Sequence, residues 1–367
     1  MKLKDKKETK EKKIIFKYIE SKKDLLEACR VIAKEESFAI DLESENGLHL
    51  YGTYICLIQS STPSKHFIID TLNFKDRISL EPFIKILEDE SIEKVLHDYS
   101  FDLRILYTQY QCRPKNIFDT QIACLLLGKE KLGLASLLEH YCQITAEKKF
   151  QRYDWTRRPL PQKMLEYAIG DTNSLLLIRD KLKAELIEKN RLSWHKQECS
   201  EIENKELSYT EQSFYDIKGI RSLSNQERAT LLKLWTLRDD VAKKYDKPLH
   251  YVMSTKIMLE ISKNPPKTNQ SWSKVNRISR FVKNNLDLFN SAIQSSKNQE
   301  IMLPQKEKKR LSKEDKLYYK SIENKRNKIA QKLKIRSHLI ANNDQLLEIT
   351  LSKKFDCLRP WQIELLN

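Results

Sequence analysis

The runs Phe38-Ala-Ile-Asp-Leu-Glu43, Tyr54-Ile-Cys-Leu-Ile-Gln59 and His66-Phe-Ile-Ile-Asp70 follow one another with only short polar connections between them. Each has the length and the alternating or continuously apolar texture of a strand, so the three in succession predict a β-meander. Ahead of them, Ser21 and Asp24 have the spacing of a capping box, and Leu25, Leu26, Cys29 and Ile32 recur at helical period. From about residue 80 the texture changes: Pro82 to Leu87 reads as helix, Lys94-Val-Leu-His97 as a short strand and Phe101 to Tyr110 as helix. Asn116-Ile-Phe-Asp119 repeats the pattern, with Asp119 placed to cap a helix over 120–127. A meander followed by strands that alternate with helices predicts an α/β domain, a mixed sheet with helices on both faces.

A long helical stretch is predicted over 161–190, bounded by Pro159 and Pro161. Beyond about residue 205 no convincing strand remains. The periods are helical over 224–244, 255–263 and 272–296, with a break at Pro265-Pro266. A charged stretch, 297–315, then precedes a last helical segment that closes on Leu358-Arg-Pro-Trp-Gln-Ile-Glu-Leu-Leu366. A length of 367 residues suits two or three domains, and the chain divides into an arm over 1–13, an α/β domain over 14–205, and two small helical modules over 206–297 and 298–367.

The net charge of +16 is concentrated. Residues 1–17 carry +5 and residues 300–336 carry +8, leaving +3 on the other 313. Two basic segments beside a nearly neutral body suit a polyanion, because phosphate contacts supply sequence-independent affinity; the competing reading of each alone is a solubilising tail. Seven scattered cysteines show no CxxC pair, and the seven histidines show no zinc-type spacing, so the cysteines read as reduced, mostly buried residues. No apolar run approaches a membrane span and the N-terminus has no signal-peptide pattern, which makes a cytoplasmic protein without membrane contact the expectation.

Three acidic clusters carry the chemistry. Asp41 and Glu43 are two apart on a predicted strand, so their side chains share a face, and buried like charges need cations between them. DxE alone is more often a solvated strand end. His97-Asp98-Tyr99-Ser100-Phe101-Asp102 runs from a strand end into a helix, with Ser100 a plausible cap; either aspartate can be a ligand, or Asp102 only complements the helix dipole. Tyr167 and Asp171 are four apart in a helical stretch and project together. A phenol is a poor base at neutral pH but can orient a water. YxxxD alone favours an aromatic packed on the core beside an exposed acid.

The order of these clusters, and the stretches KVLHDYSFDLRIL, FDTQIACLLL and YDWTRRPLPQKMLEYAIGDTNSLL, resemble ribonuclease D, of the DEDD superfamily of 3′–5′ exonucleases, in the branch whose third motif is YxxxD. The resemblance covers roughly residues 14–190. It implies a ribonuclease H-like fold, a catalytic set of Asp41, Glu43, Asp102, Tyr167 and Asp171, and two divalent ions, Mg²⁺ or Mn²⁺, held by the four acids. Asp41 would bridge the ions, Glu43 and Asp171 complete one, Asp102 support the other, and Tyr167 orient the attacking water. Leu42, Ser44 and Asp98 depart from the family pattern. Asp119 is expected to cap a helix, and His97 to be structural.

The resemblance also places Lys149, Gln151, Asp154, Trp155 and Arg158 in a wall near the scissile end, with Lys149, Gln151 and Arg158 as nucleic-acid contacts. Residues 224–297 resemble an HRDC domain, and residues 306–367 a weaker second copy, so 206–297 and 298–367 are expected to be two all-helical HRDC-type domains. Of the aromatics in the first copy, the tryptophans are expected in the core. Lys308, Lys309 and Arg310, in the +8 segment, are expected to contact nucleic acid. The implied partners are single-stranded RNA 3′ ends and tRNA precursors, with no obligate protein partner and a monomer as default. The alternatives are a nucleic-acid-binding protein with a silent nuclease domain, and a DNA 3′–5′ exonuclease.

Overall fold

The computed structural model describes residues 14–145, 150, 152–204, 213–304 and 311–367. Strand β1 (Lys17–Ile19) and helix α1 (Lys22–Ile32) lead into β2 (Ser37–Asn46), β3 (Thr53–Ser61) and β4 (His66–Asp70). Helix α2 (Arg77–Glu88), β5 (Glu93–Leu96), α3 (Ser100–Tyr110), β6 (Ile117–Asp119) and α4 (Thr120–Leu127) complete the sheet and its first helices. The six strands lie in the order β1-β4-β3-β2-β5-β6. The expected meander β2-β3-β4 is antiparallel, whereas β1, β5 and β6 join in parallel.

Alternation along β2 decides which side chains face which layer. Phe38, Ile40 and Leu42 enter a core with Leu80, Phe83, Leu103 and Leu106 from α2 and α3. Ala39 points the other way, with Val95 and Phe118, and Asp41 and Glu43 share its face by parity. That face is covered by α4, by a short helix α5 (Leu134–Leu137), and by α6 (Gln162–Asn173) and α7 (Leu175–Glu188). The stretch expected as one helix over 161–190 thus breaks at Ser174, which lets α6 lie over β2, β3 and β4 while α7 packs on α4. A further helix, α8 (Leu192–Asn204), follows.

The first helical module comprises α9 (Asn225–Tyr245), α10 (Leu249–Val252), α11 (Thr255–Lys263), α12 (Arg280–Asn284) and α13 (Leu286–Ser295). Its own core contains Leu231, Leu234, Met258 and Phe289 around a buried Trp272, whose indole donates to Asn290 Oδ1 at 2.8 Å.

The second module, α14 (Lys313–Leu333), α15 (Ser337–Ile340), α16 (Asn343–Ser352) and α17 (Pro360–Leu366), does not trail the α/β domain as a separate bead. Ile322, Ile340, Leu346, Ile349 and Trp361 share one apolar cluster with Leu126, Leu127, Leu182 and Leu186 of the α/β domain. Trp361 stacks on Trp194 at 4.7 Å and donates its indole hydrogen to Glu198 Oε1 at 2.9 Å. The guanidinium of Arg191 donates to Leu126 O and Leu333 O, tying the two units through their backbones.

Candidate active site

Three elements deliver the acids. Asp41 and Glu43 stand on β2, the central strand paired with β3 on one side and β5 on the other. A register shift after Glu43 ends the regular alternation there, a local kink of the kind that re-aims side chains. Asp171 comes from α6, which is pinned to the sheet by the 2.7 Å bond between Ser61 Oγ and Thr172 Oγ1 and by packing of Met164, Ala168 and Ile169 on Leu57 and Ile68. As a result one carboxylate oxygen from each of Asp41, Glu43 and Asp171 lies within 4.8 Å of the others.

Asp102 sits in the first turn of α3 and lies outside that trio. Its charge still raises the pKa values of Asp41 and Glu43, so it lies near enough to act on them. The turn entering α3 is fixed from behind. Asp119 caps α4 through Gln121 N at 2.6 Å and Ile122 N at 3.2 Å, and the same carboxylate accepts from Asp98 N and Tyr99 N. Ser100, expected to cap α3, is instead its first residue, the cap position falling on Tyr99 without a side-chain bond. A backbone held by Asp119, with Asp98 at φ 54°, replaces the serine cap.

Burial and mutual repulsion push these carboxyls upward. Desolvation raises Asp41 well above the usual carboxylate range, with Asp171 and Asp102 adding to it. Glu43 is raised by desolvation and then by Asp41. Desolvation lifts Asp171 to about 7, and desolvation with the Asp98 charge lifts Asp102 to about 7. Carboxylates crowded this way fit a hard divalent cation, which takes oxygen ligands and cancels their repulsion.

Tyr167 lies one turn before Asp171 on α6. Its ring is held between Phe150, edge-on at 5.5 Å, and Trp155, nearly parallel at 6.2 Å. Desolvation, then Asp171, Glu43 and Asp41, raise its pKa, so the phenol keeps its proton at neutral pH. His97 is partly buried with Nδ1 2.9 Å from Thr120 Oγ1, and desolvation lowers it to about 4, which suits a structural residue.

Arg158 is a correction. Its Nε and Nη2 donate to the two oxygens of buried Asp70 at 2.5 and 2.6 Å, Nη2 also to Cys56 O, and Nη1 to Trp155 O and Arg157 O. All five guanidinium hydrogens are thereby used, leaving none for a phosphate. Lys149, Gln151, Lys308, Lys309 and Arg310 lie outside the described residues. A second trio, Glu45, His49 and Asp154, is also close together. Glu45 is occupied by Leu48 N, His49 N and His49 Nδ1, and Asp154 by Thr156 and Arg157, so both acids already serve as loop ties.

The β2–β3 loop reaches the first helical module, which sequence patterning does not disclose. Tyr51 N donates to Asp246 Oδ1 at 3.2 Å, at the C-terminal cap of α9, and Tyr51 Oη to Asp239 Oδ1 at 3.0 Å, on α9 itself. Gly52, at φ 90°, supplies the left-handed backbone that turns the loop back into β3.

Comparison with known families matches residues 16–187 to a 3′–5′ exonuclease domain and residues 227–293 to an HRDC domain. The chain carries a DEDD-type 3′–5′ exonuclease domain followed by an HRDC domain. Protein RRP6-like 2 of Arabidopsis thaliana is 33% identical over 300 residues, 77% of this chain and 34% of that protein. The catalytic core of RRP6 from Trypanosoma brucei aligns with a TM-score of 0.68 at 26% identity, over 77% of this chain and 80% of that one. Escherichia coli RNase D, at 22% identity, shares the fold over 96% of each chain with a TM-score of 0.70. The likeness to RNase D therefore takes in the exonuclease domain, the HRDC domain and the second helical module together. The chain spans about a third of the length of RRP6-like 2. Among the described residues no helix is long and apolar enough to cross a membrane.

Proposed function

We propose that the protein is a metal-dependent 3′–5′ exoribonuclease that releases nucleoside 5′-monophosphates stepwise from unpaired RNA 3′ ends, tRNA precursors and other structured RNAs included. The observation that carries this reading is the meeting of Asp41, Glu43 and Asp171 within 4.8 Å, one turn of α6 from Tyr167. Asp41, Glu43, Asp102 and Asp171 are the groups that would hold two divalent ions, Mg²⁺ or Mn²⁺. Such ions supply Lewis acidity that activates water and stabilises a departing 3′ oxygen.

The chain's own residues do the rest. Asp41 and Glu43, rigid on a central strand, and Asp171, fixed through Thr172, present oxygens in a preset arrangement. Little reorganisation is then needed when the substrate arrives. Tyr167 keeps its proton and offers it, or its oxygen, to the attacking water, with the Phe150 and Trp155 rings limiting its rotation. The basic segment that includes Lys308, Lys309 and Arg310 would supply phosphate contacts through its charge, as would Lys149, with Gln151 a further nucleic-acid contact. Lysine and arginine in such segments do not distinguish RNA from DNA, so the test compares both.

Digestion of a 5′-labelled single-stranded RNA and its DNA counterpart, with Mg²⁺, Mn²⁺ or chelator, tests the proposal. An RNA ladder that shortens from the 3′ end and vanishes with EDTA is the expected result; preference for the DNA strand would replace the ribonuclease reading.

A further inference from the structure

We infer that Gln59 is a positioning residue of the acidic site, its unpartnered side-chain amide placed to turn onto the Asp41 carboxylate and hold it when a cation is bound. The inference rests on the proposed metal-dependent function and concerns a residue that contributes no ligand oxygen to the carboxylate set. Gln59 stands directly opposite Asp41 across the β2–β3 ladder, and opposite Ile68 on β4. Its neighbours two residues away on β3 fix the face. Leu57 packs on Met164, Ala168 and Ile169, and Ser61 bonds Thr172, so this face of β3 lies beneath α6, the helix that carries Asp171.

Gln59 is fully buried, and neither Nε2 nor Oε1 has a hydrogen-bond partner among the described residues. Such an amide offers two donor hydrogens and two acceptor lone pairs, and burying it unpaired is unfavourable. A leucine or methionine would fill the same space without that penalty. Side chains directly opposite on antiparallel strands have Cβ atoms about 4.5–5.5 Å apart, within reach of a glutamine amide. The neighbour across the ladder is a carboxylate crowded by Asp171 and Asp102. A neutral donor there holds one Asp41 oxygen and leaves the other aimed at a cation, without adding a charge. It acts on the metal site in the way that outer hydrogen-bond partners orient ligands elsewhere.

The test uses the full chain with Gln59→Leu and Gln59→Met, and Asp41→Asn as a control. Mn²⁺ binding is titrated calorimetrically without RNA, Tm is measured in EDTA, and kcat and KM are measured at limiting and saturating Mn²⁺. The expected result is a Tm in EDTA equal to or above wild type and Mn²⁺ affinity lower by about tenfold, the scale of one hydrogen bond to a charged group. Turnover should fall at limiting Mn²⁺ and recover at saturation, with KM for RNA unchanged. Should one variant melt below wild type, the Mn²⁺ titration of the other decides. Wild-type Mn²⁺ affinity in a stably folded Gln59 variant overturns the inference while leaving the proposed function standing, provided Asp41→Asn loses affinity. Absence of Mn²⁺ binding by the wild-type chain overturns both.

Discussion

The Trp155 ring lies nearly parallel to that of Tyr167, with centroids 6.2 Å apart and planes inclined by 23°. Trp155 is itself almost fully buried among α6 residues, so it offers the tyrosine ring a fixed apolar neighbour. Trp155→Leu should therefore loosen Tyr167 without removing a ligand. We expect kcat to fall about tenfold with Mn²⁺ affinity unchanged. Single-turnover kinetics checks the first and calorimetry the second; equal loss of metal affinity would instead mark a general collapse of the site.

Tyr167→Phe deletes the hydroxyl and keeps the ring between Phe150 and Trp155. Turnover should drop by about 10²-fold or more, the range of a lost catalytic hydrogen bond, with RNA binding retained. Unchanged turnover would remove the phenol from the mechanism.

Stability without metal should depend on pH in a defined direction. Asp102 and Asp171, both raised to about 7, hold protons in the folded chain that the unfolded chain has already released above about pH 4. Their contribution is full below the unfolded pKa and is lost as pH rises through about 7. In EDTA, Tm should therefore decline from pH 5 to pH 8 more steeply for wild type than for Asp171→Asn, as followed by circular dichroism. Identical slopes would mean that Asp171 is not desolvated. Added Mn²⁺ should raise the wild-type Tm most at the alkaline end.

Trp361 joins the second helical module to the exonuclease domain, buried against Trp194 and bonded to Glu198. Trp361→Ala should cost about 3–5 kcal/mol, the usual range for a core aromatic. Calorimetry should show the transition of the exonuclease domain moving with it. An unshifted transition would make the shared core energetically idle. Deleting 298–367 would expose that core, so charge substitution is the cleaner probe of RNA contact. Lys308→Ala, Lys309→Ala and Arg310→Ala together should flatten the salt dependence of RNA binding by about two units of log–log slope.

The strands of the meander, both helix caps at Ser21 and Asp119, and the acids on β2, α3 and α6 were legible because alternation and local capping are written in neighbouring residues. Strand β1 escaped because it has three residues and abuts a lysine-rich arm. Helix α8 escaped because its inward face is sparse in apolar residues, with a histidine, His195, at one of its buried positions. Arg158 was misread since its charge is visible in the sequence and its partner Asp70, 88 residues away, is not. Equally hidden from the sequence are the bond from Trp361 N to Gln197 Oε1, 164 residues apart, and the position of Gln59 opposite Asp41, which depends on strand register. Contacts between distant segments are fixed by packing, which local periodicity does not encode.

The most direct test of the carboxylate site is hydrolysis of a uniformly labelled single-stranded RNA, with product chromatography, by wild type and by Asp41→Asn, Glu43→Gln, Asp102→Asn and Asp171→Asn. Nucleoside 5′-monophosphates formed by wild type in Mg²⁺ or Mn²⁺, abolished by chelator and by each of the four substitutions, are the predicted result. Turnover that survives chelation, or that persists at the wild-type rate in any of the four variants, would contradict it.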